Sequence, residues 1–213
     1  MDETVRRLEK LRRKGYVILP PHSIVSAEEE QKIIKEIANR WEHPNRLWTR
    51  IFDLRRGLRT GASRIHRFSR RAVRVVQKAL PNEPLELREI IVRAVRKRTP
   101  RGAMPHIDGA YIVIVHPFGF QGPWVYEQRK DGQLRIRKTR PHCTAIISGM
   151  CREAGTGIAG VVHSSPPMRM QRRFSLIIVL WHRHWDPPIT QHIEARARKR
   201  TAIIQRLVRS QPH

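Results

Sequence analysis

Apolar positions recur at helical spacing near the start of the chain and gather into short β-branched runs in its middle. Val5, Leu8 and Leu11 share one face of a predicted helix over residues 2–14, which Gly15 ends. "YVILP" (16–20) reads as a short strand stopped by Pro20, and "SAEEEQKIIKEIANRWEH" (26–43) as a helix with Ser26 as its N-cap and acids in its first turn. "PLELREIIVRAVRKR" (84–98) is expected to be helical as well. From Tyr111 to Leu180 the runs "YIVIV", "WVYEQ", "QLRIRK", "TAIIS", "GVVHS" and "FSLIIVLW" alternate with Gly, Pro and Asp turn signals, and "KDGQ" (130–133) is the best hairpin candidate. Strands so evenly spaced predict an all-β sandwich or jelly roll. The tail "ITQHIEARARKRTAIIQRLVR" returns to a basic helical pattern. The expected fold class is therefore α+β with a mainly β core. It is read as a single domain over 1–213, with an N-terminal helical and basic part (1–100), a jelly-roll core (101–185) and a basic C-terminal helix (186–213).

Length and composition narrow the setting. At 213 residues, 39% apolar and 29% charged, the chain suits one folded domain and is neither compositionally disordered nor a membrane protein. The first residues read as a charged helix rather than a signal peptide, so an intracellular location is expected. Cys143 and Cys151 are too few for a disulfide framework and are expected to be free thiols. The charge changes the picture most: 43 Lys and Arg against 18 Asp and Glu give a formal net charge of +25. A field of that sign attracts polyanions, and DNA or RNA is the expected partner. An arginine bias also follows from a GC-rich coding sequence, which leaves that partner open. The arginine-rich segment 46–74 is the candidate surface, with Trp48, Phe68, Trp124 and Tyr126 as possible stacking residues for an extruded base.

Candidate chemistry lies at the mouth of the first β run, where "HID" sets His106 and Asp108 one residue apart. Alone, such a pair is equally a strand-entry turn with a side-chain cap. Downstream, "GVVHSSPP" presents His163 at the end of a β-rich run, and "RRFSLIIVLW" presents Arg173 and Ser175 at the head of the last long strand. Two imidazoles and a carboxylate on neighbouring strands make a facial triad, which leaves three positions of an octahedral Fe(II) open for a 2-oxo acid and O2. If that acid is 2-oxoglutarate, its distal carboxylate needs a cation deeper in the site. Arg173 can grip it bidentately, and Ser175, two residues on and so on the same strand face, can add a hydrogen bond. Arg172 faces the other way. Tyr111 could reach cosubstrate or substrate, with core packing an equal reading.

"HID", "VVHSSPP" and "RRFSL" (172–176), in that order and spacing, resemble the double-stranded β-helix core of Fe(II)/2-oxoglutarate-dependent dioxygenases, and the helix–strand–helix start resembles the entry common in that superfamily. The resemblance implies Fe(II) held by His106, Asp108 and His163, and 2-oxoglutarate held by Arg173 with Ser175. It also implies hydroxylation or oxidative demethylation with release of succinate and CO2. The last strand lacks the Arg-x-Asn-x-Thr-x-Arg pattern of alkylation-repair dioxygenases. Its short His-to-Arg spacing is closer to the TET and base-J type, which makes a methylated nucleic-acid base the expected substrate. A small molecule or protein side chain, or nucleic-acid binding without turnover, are the alternatives. His116, His142, His182 and His184 read as structural histidines, the cysteine spacing does not suit zinc, and "GTGIAG" (155–160) reads as a turn rather than a dinucleotide loop.

Overall fold

The computed structural model describes residues 3–40, 48–53, 64–95, 104–166, 173–184 and 188–210, with the side chains of 3–8, 39–40, 48–53, 94–95 and 173 left out. The chain opens as read: α1 (Glu3–Lys14), β1 (Tyr16–Leu19) and α2 (Ala27–Arg40). Gly15 adopts a positive φ of 73° to turn out of α1. Ser26 caps α2, its Oγ accepting from the Glu29 amide at 3.2 Å. Then follow β2 (Trp48–Asp53), α3 (Arg64–Ala79), β3 (Leu85–Val95), β4 (Ile112–His116), β5 (Trp124–Gln128), β6 (Leu134–Lys138), β7 (Thr144–Ser148), α4 (Met150–Thr156), β8 (His163–Ser164), β9 (Arg173–His182) and α5 (Gln191–Ser210).

Two antiparallel sheets form, one six-stranded in the order β1-β7-β4-β9-β3-β2 and one three-stranded in the order β6-β5-β8. The fold class is the expected one, a jelly-roll core with flanking helices. Three of the larger sheet's strands come from residues before 100. Ile112, Ile114, Ile146, Leu176, Ile178 and Leu180 join Leu11, Ile33, Phe68 and Val76 of the helices in the main core. Val125, Ala145, Ile147, Val161 and Tyr16 form a second cluster on the other side of β7. β7 is therefore buried on both faces, which explains an apolar run without alternation.

The helix expected over 84–98 is instead β3, paired with β9 on one side and β2 on the other. Ile90 and Val92 are buried in the main core while Ile91 and Arg93 are less so, the period of a strand. A register shift between Leu87 and Glu89 moves the alternation out of phase near the start of the strand. Across the bulge, Leu87, Ile90, Ile91 and Ala94 fall at the three-and-four spacing of a helix, and that is what misleads.

α5 is fastened to α4 through a buried carboxylate. Glu153, with a side chain 0% exposed, takes Arg200 Nη1 at 3.1 Å, Arg196 Nη2 at 3.3 Å and the Gly160 amide at 2.9 Å. Burial opposes ionisation, yet the Arg200 hydrogen bonds, the Gly160 amide and the two guanidinium charges hold this carboxyl below its ordinary value. A depressed carboxylate contributes stability that is present above its unfolded pKa and lost as pH falls through the folded one. Acidification below the ordinary glutamate range should accordingly loosen α5. Hydrogen exchange of α5 amides should rise there in the native chain, and Glu153→Gln should show fast α5 exchange already at neutral pH.

Candidate metal centre

His106 and His163 face each other as an antiparallel backbone pair, each amide donating to the other's carbonyl at 2.9 Å. That bridge extends the smaller sheet beyond β8, and β8 itself is held by β5. Asp108 follows in an irregular stretch whose carbonyl accepts from the Met150 amide at 2.8 Å. Gly149 makes this approach possible, because a Cβ there would overlap the Ala110 carbonyl oxygen and come within 2.7 Å of Asp108 O. Gly160, in the segment read as a turn, likewise packs against Ile107, with 2.8 Å from a hypothetical Cβ to Cγ2. The pair of strands and the two glycines thus set where the side chains of 106, 108 and 163 emerge.

Those side chains converge. His163 Nε2 lies 3.1 Å from Asp108 Oδ2, His106 Nε2 lies 3.5 Å from Asp108 Oδ1, and the two rings are 4.7 Å apart. One ligand atom from each falls within 4.8 Å of the others. Both Nδ1 atoms meet backbone carbonyls, His106 at Met104 (2.9 Å) and His163 at Val161 (3.1 Å), and since a carbonyl only accepts, each Nδ1 must carry the hydrogen. Each Nε2 therefore faces Asp108, donating to the carboxylate when it carries a proton and offering its lone pair to a metal once that proton leaves. Burial resists ionisation of Asp108, but hydrogen bonds from His106 and His163 and their charges hold its carboxyl well below the usual range. His106 is raised chiefly by its bond to Asp108, against burial and the charge of Arg93. Two imidazole nitrogens and one ionised oxygen, side by side on a rigid strand pair, fit a divalent iron.

Ser175 is buried on β9, opposite Arg93 on β3. Its neighbours Leu176 and Ile178 belong to the helix-facing core, so by alternation Ser175 faces away from the helices. Arg173 opens β9, paired with Val95, and its side chain is not among those described. Arg93, hidden in a segment whose spacing reads as helical, hydrogen-bonds Ser165, two residues past His163. Once the bulge is counted, strand parity puts Arg93 on the same sheet face as Ser175. Tyr111 is placed elsewhere than the cosubstrate reading expects. It is 1% exposed within the main core, its ring 5.6 Å from His182, with Glu83 and Arg152 beside its hydroxyl. A side chain of that size is drawn into the nearest apolar interior, and here that is the helix-facing core. Of the stacking candidates, Phe68 is fully buried, Tyr126 hydrogen-bonds Ser164 at 2.7 Å and Lys138 sits over Trp124; the Trp48 side chain and residues 54–63 lie outside the described part.

A β-core of this topology with an H-x-D and a distal histidine at its mouth has the fold of the Fe(II)/2-oxoglutarate oxygenases, and comparison with solved structures bears this out. A Shewanella oneidensis protein classed as an oxygenase aligns over 95% of this chain and 95% of its own, with 15% identity and a TM-score of 0.63. A full-length Neurospora crassa protein solved in complex with alpha-KG aligns over 96% and 89%, with 12% identity and a TM-score of 0.61. A 2OG-Fe(II) oxygenase family member of Burkholderia pseudomallei aligns over 88% and 93%, with 17% identity and a TM-score of 0.58. No family model and no curated protein sequence matches the chain. Among the described residues, no helix is long and apolar enough to cross a membrane.

Proposed function

We propose that the chain is an Fe(II)/2-oxoglutarate-dependent dioxygenase that oxidises a methylated nucleic-acid base and releases succinate and CO2. The observation that carries this reading is the convergence of His106 Nε2, His163 Nε2 and the Asp108 carboxylate. Bound there, Fe(II) would supply activation of dioxygen and decarboxylation of the 2-oxo acid. His106 and His163 present lone pairs whose direction is set by their Nδ1 bonds to carbonyls, and Asp108 supplies the negative charge. Arg173, two residues before Ser175, is assigned to the distal carboxylate of 2-oxoglutarate, with Ser175 adding a hydrogen bond. Arg93, opposite Ser175, keeps a second guanidinium on this side of the sheet. A charge-assisted hydrogen bond is worth about 1.5–3 kcal/mol, so Arg173→Ala should raise the 2-oxoglutarate concentration at half-saturation by roughly ten- to a hundredfold. Isothermal titration with metal-loaded protein checks this, and unchanged affinity would remove Arg173 from the site.

Support for a base as substrate comes from the charge of +25 and from the exposed face of α3, where Arg64, Arg67, Arg70, Arg71 and Arg74 lie in a row. The same fold also takes such a ligand in the Neurospora crassa protein, which has been solved with alpha-KG and 5-formyluracil together. A second reading, hydroxylation of a protein side chain, is favoured by similarity to prolyl 4-hydroxylases of Phytophthora capsici and Pseudomonas putida. The test is to supply Fe(II), ascorbate and 2-oxoglutarate with a panel of methylated DNA and RNA oligonucleotides and, separately, proline-containing peptides, and to measure succinate and substrate mass. Oxidised oligonucleotide with salt-dependent binding supports the proposal. Oxidised peptide alone supports the second reading, and no succinate under any condition overturns both.

A further inference from the structure

Away from the triad, the loop between β1 and α2 meets the turn between β6 and β7 around one buried carboxylate. Glu30, in the first turn of α2, is 1% exposed. Its Oε1 accepts from His142 Nδ1 at 2.7 Å. Its Oε2 lies 3.2 Å from His22 Nδ1 and 3.5 Å from His116 Nε2, yet accepts no hydrogen bond. The buried His116 Nε2 likewise has no hydrogen-bond partner, while its Nδ1 is fixed by Thr144 Oγ1 at 2.9 Å. Two buried polar atoms held 3.5 Å apart, at the outer limit of a hydrogen bond, mark a carboxylate that its surroundings satisfy only loosely. The backbone adds a second anomaly. His22 and His142 both sit at positive φ, 56° and 62°, a region that non-glycine residues enter at a cost of about 1–3 kcal/mol and that tends to mark functional sites. These two strained residues are the ones whose Nδ1 atoms point at Glu30, and their segments are joined by a bond from the His22 amide to His142 O at 3.3 Å.

We propose that His22, Glu30 and His142 form a second metal site, which takes a divalent transition-metal ion of the zinc type. Their ligand atoms all lie within 4.8 Å of one another. Two imidazoles and one carboxylate suit zinc or its neighbours rather than magnesium or calcium, and they leave a fourth position of a tetrahedron open. His116 is a positioning residue: its Nε2, 3.5 Å from Oε2, is placed to close on the carboxylate when an ion draws it into ligation, as outer partners of metal-bound carboxylates do. The side chains of His22 and His142 are each 34% exposed, so the ion reaches the site from solvent. The two sites are at opposite ends of one strand pair. Asp108 precedes β4 and its carbonyl meets Met150 just past β7, whereas His116 ends β4 beside Thr144 at the start of β7. They share no ligand. A cation here ties α2 to two loops, so its effect falls on stability rather than on turnover.

The test uses the untagged full chain carrying Asp108→Ala and His163→Ala, which removes the triad and makes the result independent of the proposed oxygenase activity. Zn(II) titration by calorimetry should give one saturable equivalent, Co(II) should give the visible absorption of a tetrahedral site, and Zn(II) should raise the melting temperature. Adding His22→Ala, a change in a partly exposed loop side chain, should weaken Zn(II) binding by at least about tenfold and cancel the thermal shift. Glu30→Gln should do the same, and circular dichroism should show both variants folded. Absence of saturable binding in the triad-free protein overturns the proposal. So does binding that neither His22→Ala nor Glu30→Gln weakens.

Discussion

Asp108→Ala is expected to lower Fe(II) affinity by more than about a hundredfold and to bring succinate production below detection, with circular dichroism unchanged. The magnitude follows from comparison: partners that merely orient metal ligands are already worth 10–100-fold in affinity or activity, and Asp108 is the sole anion of the proposed triad. Its carboxyl is held ionised by His106 and His163 against the pull of burial, so its loss takes away the charge that balances a dication. The side chain is 32% exposed, and truncation should leave the fold intact. His163→Ala should behave alike. Metal stoichiometry should fall by one equivalent in either variant, and a stoichiometry and Fe(II) affinity unchanged from the native chain would refute the triad.

Glu83→Gln is expected to destabilise the whole domain by about 3–5 kcal/mol, the cost of leaving one member of a buried ion pair without its partner. Arg152, with a side chain 0% exposed, donates from Nε and Nη2 to Glu83 at 2.8 and 2.9 Å, and from Nη1 to Leu11 O at 3.0 Å and Ser148 Oγ at 2.6 Å. One guanidinium therefore joins α1, the loop before β3, β7 and α4. For a chain of this size each kcal/mol shifts the melting temperature by about 2–4 °C, so a drop of roughly 6–20 °C should be seen calorimetrically. Arg152→Met should cost a similar amount. The double substitution Glu83→Leu with Arg152→Met should recover much of the loss, because an apolar pair of similar volume leaves no buried charge. With Glu83→Leu alone completing the cycle, strictly additive losses would mean the two groups are not coupled.

The parts of the fold visible in the sequence are those whose signals are local. Ser26 and the acids behind it announce α2, Gly15 ends α1, and the turn residues between β-branched runs space the jelly-roll strands. The candidate ligands are visible for a related reason, since H-x-D, a later histidine and Arg-x-Ser are residue types that few other arrangements need in that order. β3 is hidden because one bulge resets its period. Arg93 is hidden with it. Glu30, His22, His116 and His142 each look like a solitary polar residue, and only the return of the β6–β7 turn to the loop after β1 brings them together. Tyr111 is misplaced for the opposite reason. Nearness in sequence to Asp108 suggests a shared site, but the chain turns at Gly109 and Ala110 and sends the ring into the core.

The bridge between His106 and His163 has a mechanical side. Residues 104–106 are held to β8 by one pair of backbone hydrogen bonds, and an ion gripped by both rings would add a stitch across the same two strands. Force pulling these segments apart would then load the coordinate bonds together with the backbone pair, so occupancy by metal would set how much tension that edge bears before it unzips.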